Sequence, residues 1–289
     1  MKDKGAASSY HLHEKEEAML AQGELPASYS APDTIDAKRH DRMLDFLKPL
    51  IDADVKARWV TMGDGKHGAD AYYLKRQGLD VLATSLTDFT LKEAKNAGYL
   101  DEIAAVNAED IVFEEDSFDY VLCKEAYHHF PRPPLAFYEM LRVAKKGVVL
   151  IEPYDGPRRM LDFIKEPLKR LLWGKDETIN FEPSGNYIYR VTPREIYKAM
   201  TALGYPFIAY KTFNVLYLPN VAEAKAEKSF GAFVWKVTLF LQDMLSGMKL
   251  VNPASVVIIA MKNEPTRSLA KSLSKNGYKT CDLPQNPYV

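Results

Sequence analysis

A short apolar run, Arg58-Trp59-Val60-Thr61-Met62, passes directly into Gly63-Asp64-Gly65-Lys66-His67-Gly68 and then into a helical pattern that ends at Gly78. This junction constrains the fold more tightly than any other feature of the chain. Glycines at that spacing let the backbone leave a strand, turn sharply and enter a helix, and let a ligand come close to the main chain. The first turn of the helix adds unpaired N–H groups. A tight strand–helix turn needs glycine whether or not anything binds, so the motif gains meaning only from the elements around it.

The next ninety residues repeat the strand–helix rhythm. Val81–Thr84 reads as a second strand, Ile103–Val106 as a weaker third, Phe118–Cys123 as a fourth and Val148–Ile151 as a fifth. Between them lie helical patterns, one with Thr90 as a cap and Gly98 at its end. Another opens at Pro133-Pro134, carries the stripe Phe137, Met140, Leu141 and Ala144, and is expected to stop at Gly147. Parallel neighbours need crossover helices, so this alternation predicts an α/β fold with a doubly wound, mainly parallel sheet. Phe207–Phe213 and Ser255–Met261 bring the expected strands to seven. A capping box at Thr192-Pro193-Arg194-Glu195 starts the helix before the first of these. The expected organisation is an N-terminal helical cap (1–55), a core (56–262) with insertions at about 156–190 and 221–249, and a C-terminal tail (263–289).

Composition removes several function classes. Thirty-eight basic against 39 acidic residues give a net charge of −1, which offers no general attraction for nucleic acid. Two cysteines, Cys123 and Cys281, cannot build a disulfide scaffold or a cysteine-rich zinc site, and they suit a reducing compartment. The N-terminus lacks the apolar core of a signal peptide, and the most apolar stretch, 230–241, is broken by Lys236 and too short to span a bilayer. A cytoplasmic location is expected. Histidines 128 and 129 are adjacent rather than one turn apart, and no metal site is expected.

A nicotinamide-dependent oxidoreductase needs an acid near the end of the second strand for the ribose hydroxyls. Thr84-Ser85-Leu86 stands there instead, with Asp88 slightly late. That reading drops to third place. Further along come Asn107-Ala108-Glu109-Asp110, Glu114-Glu115-Asp116-Ser117-Phe118-Asp119-Tyr120-Val121, Tyr127-His128-His129-Phe130 and Leu141-Arg142-Val143-Ala144-Lys145-Lys146-Gly147. In this order and spacing the chain resembles the class I S-adenosylmethionine-dependent methyltransferases, in particular the branch with a type 11 methyltransferase domain. The resemblance covers residues 56–155 closely and the helix and strands after 190 more loosely.

The resemblance implies a Rossmann-like methyltransferase fold with S-adenosylmethionine as cofactor. Gly63, Asp64, Gly65 and Gly68 would lie beneath its methionine part, Ser85 and Leu86 at its ribose and adenine edge, and Asn107 and Ala108 at the adenine. Lys124 and Glu125, with Cys123, would stand by its amino-acid end. Three departures stand out. Thr61 occupies the place of an acid two residues before the first glycine, Ser85 that of the ribose-binding acid, and the glycine loop is G-D-G-x-x-G rather than G-C-G-x-G. An ionised acceptor contributes roughly 1.5–3 kcal/mol to such a hydrogen bond; Asp64 and Asp88 are the candidate substitutes.

Methyl transfer from a sulfonium requires alignment and, for a hydroxyl acceptor, removal of a proton. His128 or His129, after the fourth strand, is the candidate general base, with packing of the turn as the structural alternative. Asp119 is read as a local hydrogen-bonding group. Tyr127, Glu152, Tyr187, Tyr189 and Arg190 are candidate substrate contacts, set against aromatic packing and a plain strand-end carboxylate. The segment Arg158–Lys175 is basic and amphipathic, more readily a surface helix than a membrane contact. The stripe Phe230, Phe233, Val237, Phe240, Leu241 and Met244 reads as core or homodimer interface. The expected substrate is a small molecule, a sugar or other metabolite bearing a hydroxyl or amine. A non-catalytic methyltransferase-fold binding or assembly protein is the alternative.

Overall fold

Side chains alternate between two cores along every central strand, and this explains why the sheet is covered on both faces. From β1 (Arg58–Met62), Trp59 enters one core and Val60 and Met62 the other. From β5 (Ala144–Pro153), Val149 and Ile151 join Trp59 while Val148 and Leu150 join Val60. Such two-sided burial is what near-continuous apolar strands of a parallel sheet require. The architecture is that of a computed structural model, which describes residues 4–20, 32–161, 187–219, 221–227 and 229–288.

In chain order the elements begin with α1 (Lys4–Leu20), α2 (Ile35–Leu44), a 3-10 turn and α3 (Lys48–Ala53). Then come β1, α4 (Ala69–Arg76), β2 (Asp80–Ser85), α5 (Phe89–Asn96), β3 (Glu102–Ala105), β4 (Phe118–Lys124), α6 (Pro133–Val143) and β5. After the insertion come α7 (Pro193–Ala202), β6 (Phe207–Phe213), α8 (Phe230–Gly247), β7 (Ser255–Met261), α9 (Arg267–Lys275) and β8 (Lys279–Asp282). The sheet order is β3-β2-β1-β4-β5-β7-β6-β8. The pairs among β3, β2, β1, β4 and β5 are parallel, and those joining β5, β7, β6 and β8 are antiparallel. The winding direction reverses at β1, so the crevice beyond the C-terminal ends of β1 and β4 is where such a sheet receives ligands.

The sheet has eight strands where the pattern predicts seven. The eighth comes from residues 263–289, read in sequence as a tail. Thr266 caps α9 by accepting from the Leu269 N–H, and β8 then pairs with β6. Gly147 does not end a helix. Helix α6 stops at Val143, and Gly147 lies within β5 opposite Met261, where a Cβ would sit 2.5 Å from the Ala260 carbonyl oxygen. Close strand packing, not a helix cap, demands glycine there. The capping box at Thr192 and Glu195 forms as the sequence predicts.

Helix α8 carries its aromatic stripe outward. Phe230, Phe233, Phe240 and Leu241 are exposed, and only Ala232, Trp235 and Leu239 of that helix are buried. The stripe is therefore not core. The basic segment lies largely outside the described residues, from 162 onward; its Arg159 bonds Asn252 Oδ1 at 2.9 Å. Among the described residues, no helix is long and apolar enough to cross a membrane.

Candidate functional site

The glycine loop owes its shape to three different constraints. Gly63 has φ +76°, and a Cβ there would meet Ala126 Cβ at 2.5 Å. Gly68 has φ +74° and abuts Leu100 and Leu91. Gly65 lies outside the left-handed region, yet its missing Cβ would stand 2.7 Å from Glu17 Oε1 and 3.0 Å from Ser85 Oγ. At Gly65 the constraint is therefore not the backbone but the polar ends of two side chains. Thr90, expected to cap α5, lies within that helix and donates to the Gly65 carbonyl at 2.9 Å, fixing the loop from behind.

A cavity of about 520 Å³ opens above this loop. Gly63, Asp64, Gly65, Ser85, Leu86, Asn107, Ala108, Lys124 and Glu125 all line it, so nine of the ten residues assigned to the cofactor converge on one space. Gly68 does not; it packs against Leu100 beneath the loop. Thr61, at the position of an expected acid, is buried in β1. The Asp64 carboxylate is directed away from a ligand role, because its two oxygens accept from the Asp70 and Ala71 N–H groups at 3.2 and 2.9 Å and cap α4. Burial, then the nearby Asp70 charge, pushes its pKa up to about 7.

Lys124 and Asp70 form a buried ion pair at 3.0 Å in the cavity floor. Burial lowers the Lys124 pKa, but Asp70 and Glu125 outweigh it and hold the ammonium charged. Removing either partner would strand a buried charge, which makes this pair a rigid feature of the site. Glu125 adopts φ +49°, uncommon for a side chain of its kind, and reaches Arg39 at 3.5 Å. Cys123 is fully buried in β4, and burial pushes its thiol well above the ordinary range, so it is not a reactive group.

The N-terminal helix completes the walls. Tyr10, His13, Glu17 and Leu20 fall on one face of α1 and all four line the cavity. Tyr10 Oη donates to Glu109 Oε2, and Glu109 in turn accepts from the Arg132 N–H and Nε at 2.5 and 2.8 Å. Seven residues on, the Glu17 carboxylate accepts from Ser85 Oγ, from Thr87 Oγ1 and from the Thr87 N–H at 3.1 Å. Sequence reasoning missed Glu17 and Glu109. The 3-4-3 spacing of Tyr10, His13, Glu17 and Leu20 was the available signal, obscured because most of those residues are polar and mark no apolar stripe.

A second cavity of about 450 Å³ shares His40, Lys66, Ala69, Glu125 and His129 with the first. His128 and His129 both line it. Glu152 is 1% exposed at the end of β5. Its Oε2 is 2.6 Å from His128 Nδ1, and its Oε1 accepts from the Ala126 and Tyr127 N–H groups, both at 3.0 Å. A carboxylate only accepts, so His128 donates from Nδ1, and in the neutral ring Nε2 is the acceptor. Burial, then His128 and His13, pushes His129 down to about 3. Glu152 thus orients His128 rather than meeting a substrate.

The remaining candidate substrate contacts lie elsewhere. Tyr127 is buried edge-on to Phe130 and Tyr189. Tyr189 Oη donates to Glu195 at 2.8 Å, while Tyr187 and Arg190 are exposed. None of the four lines either cavity. Asp119 accepts from the Arg58 N–H at 2.9 Å and pairs with Lys146 at 2.7 Å, a local role. Among the described residues, no group of three or more His, Cys, Asp or Glu side chains could hold a metal.

Residues 60–151 match the family model described as "Methyltransferase domain". A curated relative, "Probable phthiotriol/phenolphthiotriol dimycocerosates methyltransferase 2" of Mycobacterium ulcerans, is 34% identical over 106 residues, 35% of this chain and 41% of its own. The chain thus spans about two fifths of that relative's length. Among solved structures, the YcgJ protein of Bacillus subtilis aligns with TM-score 0.51 at 19% identity, covering 78% of this chain and 100% of that one. Magnesium protoporphyrin IX methyltransferase (ChlM) of Synechocystis, with bound SAH, aligns with TM-score 0.50 at 11% identity, covering 87% and 94%. These two share the fold.

Proposed function

We propose, from the match of residues 60–151 to the methyltransferase-domain model, that the chain is a class I S-adenosylmethionine-dependent methyltransferase and binds S-adenosylmethionine in the larger cavity. We propose further that it methylates a hydroxyl group of a small molecule held in the adjoining one. The observation that carries the reading is the common wall of the two cavities, with the His128–Glu152 pair opening on the second. The residues present fit the cofactor. The cavity volume lies within the roughly 300–1,000 Å³ of small-molecule sites, and Gly65 lines it where a Cβ would crowd Glu17 and Ser85.

When bound, the cofactor supplies an electrophilic methyl group on sulfur. The chain's own part is to hold, align and deprotonate. Gly63 and Gly65 would bring main chain close to the ligand, Leu86, Asn107 and Ala108 would lie at its adenine end, and Lys124 presents a fixed cation at the floor. His128, with Nδ1 held by Glu152, takes the acceptor's proton on Nε2. His129, neutral at ordinary pH, is too weak a base for that task. An amine acceptor free of its proton needs no such base, so the pair favours a hydroxyl. The M. ulcerans relative is named for a triol, which supports the same choice.

Incubation with methyl-labelled S-adenosylmethionine and a panel of alcohols, phenols, sugars and amines tests the proposal. Label is expected in a hydroxyl-bearing product. Transfer to amines alone would refute the hydroxyl assignment.

A further inference from the structure

We infer that Glu17, on the N-terminal helix, supplies the carboxylate that receives the cofactor's ribose hydroxyls, in place of an acid at the end of β2. The inference rests on the proposed cofactor site and adds to it the group that makes the ribose pocket complete. Helix α1 then becomes part of the binding machinery rather than a passive cover.

The acids nearest this edge in sequence are all committed elsewhere. Strand β2 ends in Thr84 and Ser85. Thr84 Oγ1 turns inward and donates to the Thr61 carbonyl at 2.5 Å. Asp64 spends both carboxylate oxygens on the start of α4. Asp88 pairs with Lys92 at 2.9 Å and does not line the cavity. Ser85 itself bears no charge.

Glu17 stands in their place. Its carboxylate meets Ser85 Oγ and both the hydroxyl and N–H of Thr87, at and just beyond the end of β2. It also borders the gap at Gly65, where a Cβ would come within 2.7 Å of Oε1. A carboxylate has about four acceptor positions. Three are used by Ser85 and Thr87, and the hydroxyls among them can re-orient to share the network with a diol. The Tyr10–Glu109–Arg132 link anchors the same helix face two turns away, which fixes where Glu17 stands.

Calorimetric titration of the full chain with S-adenosylhomocysteine and with its 2′,3′-dideoxy analogue decides the matter. Wild type is expected to bind the dideoxy analogue at least about tenfold more weakly, the scale of a hydrogen bond to a charged group. Glu17→Gln is expected to weaken S-adenosylhomocysteine by a similar factor and to shrink the difference between the two ligands. Adding Ser85→Asp to Glu17→Gln returns the carboxylate to β2 and is expected to restore affinity. Equal affinity of wild type and Glu17→Gln overturns the inference, as does tighter binding by the variant, which would make Glu17 a plug. Equal affinity of wild type for the two ligands overturns it without any variant. Failure of wild type to bind S-adenosylhomocysteine at all overturns the proposed cofactor site and this inference together.

Discussion

Replacing each glycine of the loop by alanine, one at a time, separates folding from binding. At Gly63 and Gly68 the new side chain faces two penalties. A left-handed conformation costs roughly 1–2 kcal/mol, and the Cβ would press on Ala126 or Leu100 at 2.5 Å, a form of overpacking worth roughly 1–3 kcal/mol. Each variant should lose about 2–5 kcal/mol of unfolding free energy in urea by addition of those costs. Gly65 differs. Its backbone suits any residue, and the nearest atoms belong to the ends of the Glu17 and Ser85 side chains, which can move. Gly65→Ala should keep wild-type stability or gain up to about 1 kcal/mol from the stiffer unfolded chain. The methyl group nevertheless displaces the Glu17 carboxylate at the cavity wall. Loss of one charge-assisted bond, roughly 1.5–3 kcal/mol, corresponds to at least a tenfold weaker affinity for S-adenosylhomocysteine. Urea unfolding and calorimetry on the three variants give both readouts. A Gly65→Ala protein as unstable as Gly63→Ala, or one that binds like wild type, would refute the reasoning.

Glu152→Gln retains an oxygen for the Ala126 and Tyr127 N–H groups but presents an N–H to His128 Nδ1, turning Nε2 into a donor. Methyl transfer to a hydroxyl should fall by about 10²–10⁴ while S-adenosylhomocysteine affinity holds, as steady-state rates and calorimetry would show. Asp64 has a folded pKa of about 7, above its unfolded value, so the folded state binds the extra proton and stability declines as pH rises between the two. Urea titrations from pH 5 to 7 should show a decline steeper in wild type than in Asp64→Asn by at most about 1.4 kcal/mol per pH unit. Tyr10→Phe removes the link from α1 to Glu109, and amide exchange in α1 should speed up by roughly tenfold, with the rest of the sheet unchanged.

The parallel half of the fold was legible because burial on both faces forces apolar runs, and crossover helices must separate them. Trp59-Val60, Val121-Leu122 and Val148-Val149 carry that signal unaided. The eighth strand was not. Lys-Thr-Cys-Asp at 279–282 is a short, mostly exposed edge strand with no apolar alternation, and its place depends on pairing with β6. Gly147 misled because a glycine after a helical pattern reads as a cap, whereas the close approach of β7 is a tertiary fact. The site divides in the same way. Residues on the ends of β1, β2 and β4 were found by motif order, since the strands carry them to a single edge. Glu152 was read as a substrate contact, whereas donors of the 126–128 turn claim its carboxylate. Glu17 lies 68 residues from Ser85 in sequence, and only the docking of α1 brings them together.

The central claim is that the cavity above Gly63–Gly65 is a cofactor site. Titration of the purified protein with S-adenosylhomocysteine in a calorimeter tests it most directly. Saturable one-to-one binding is predicted, weakened by about tenfold or more in each of Glu17→Gln and Gly65→Ala. No heat of binding at millimolar ligand would contradict it.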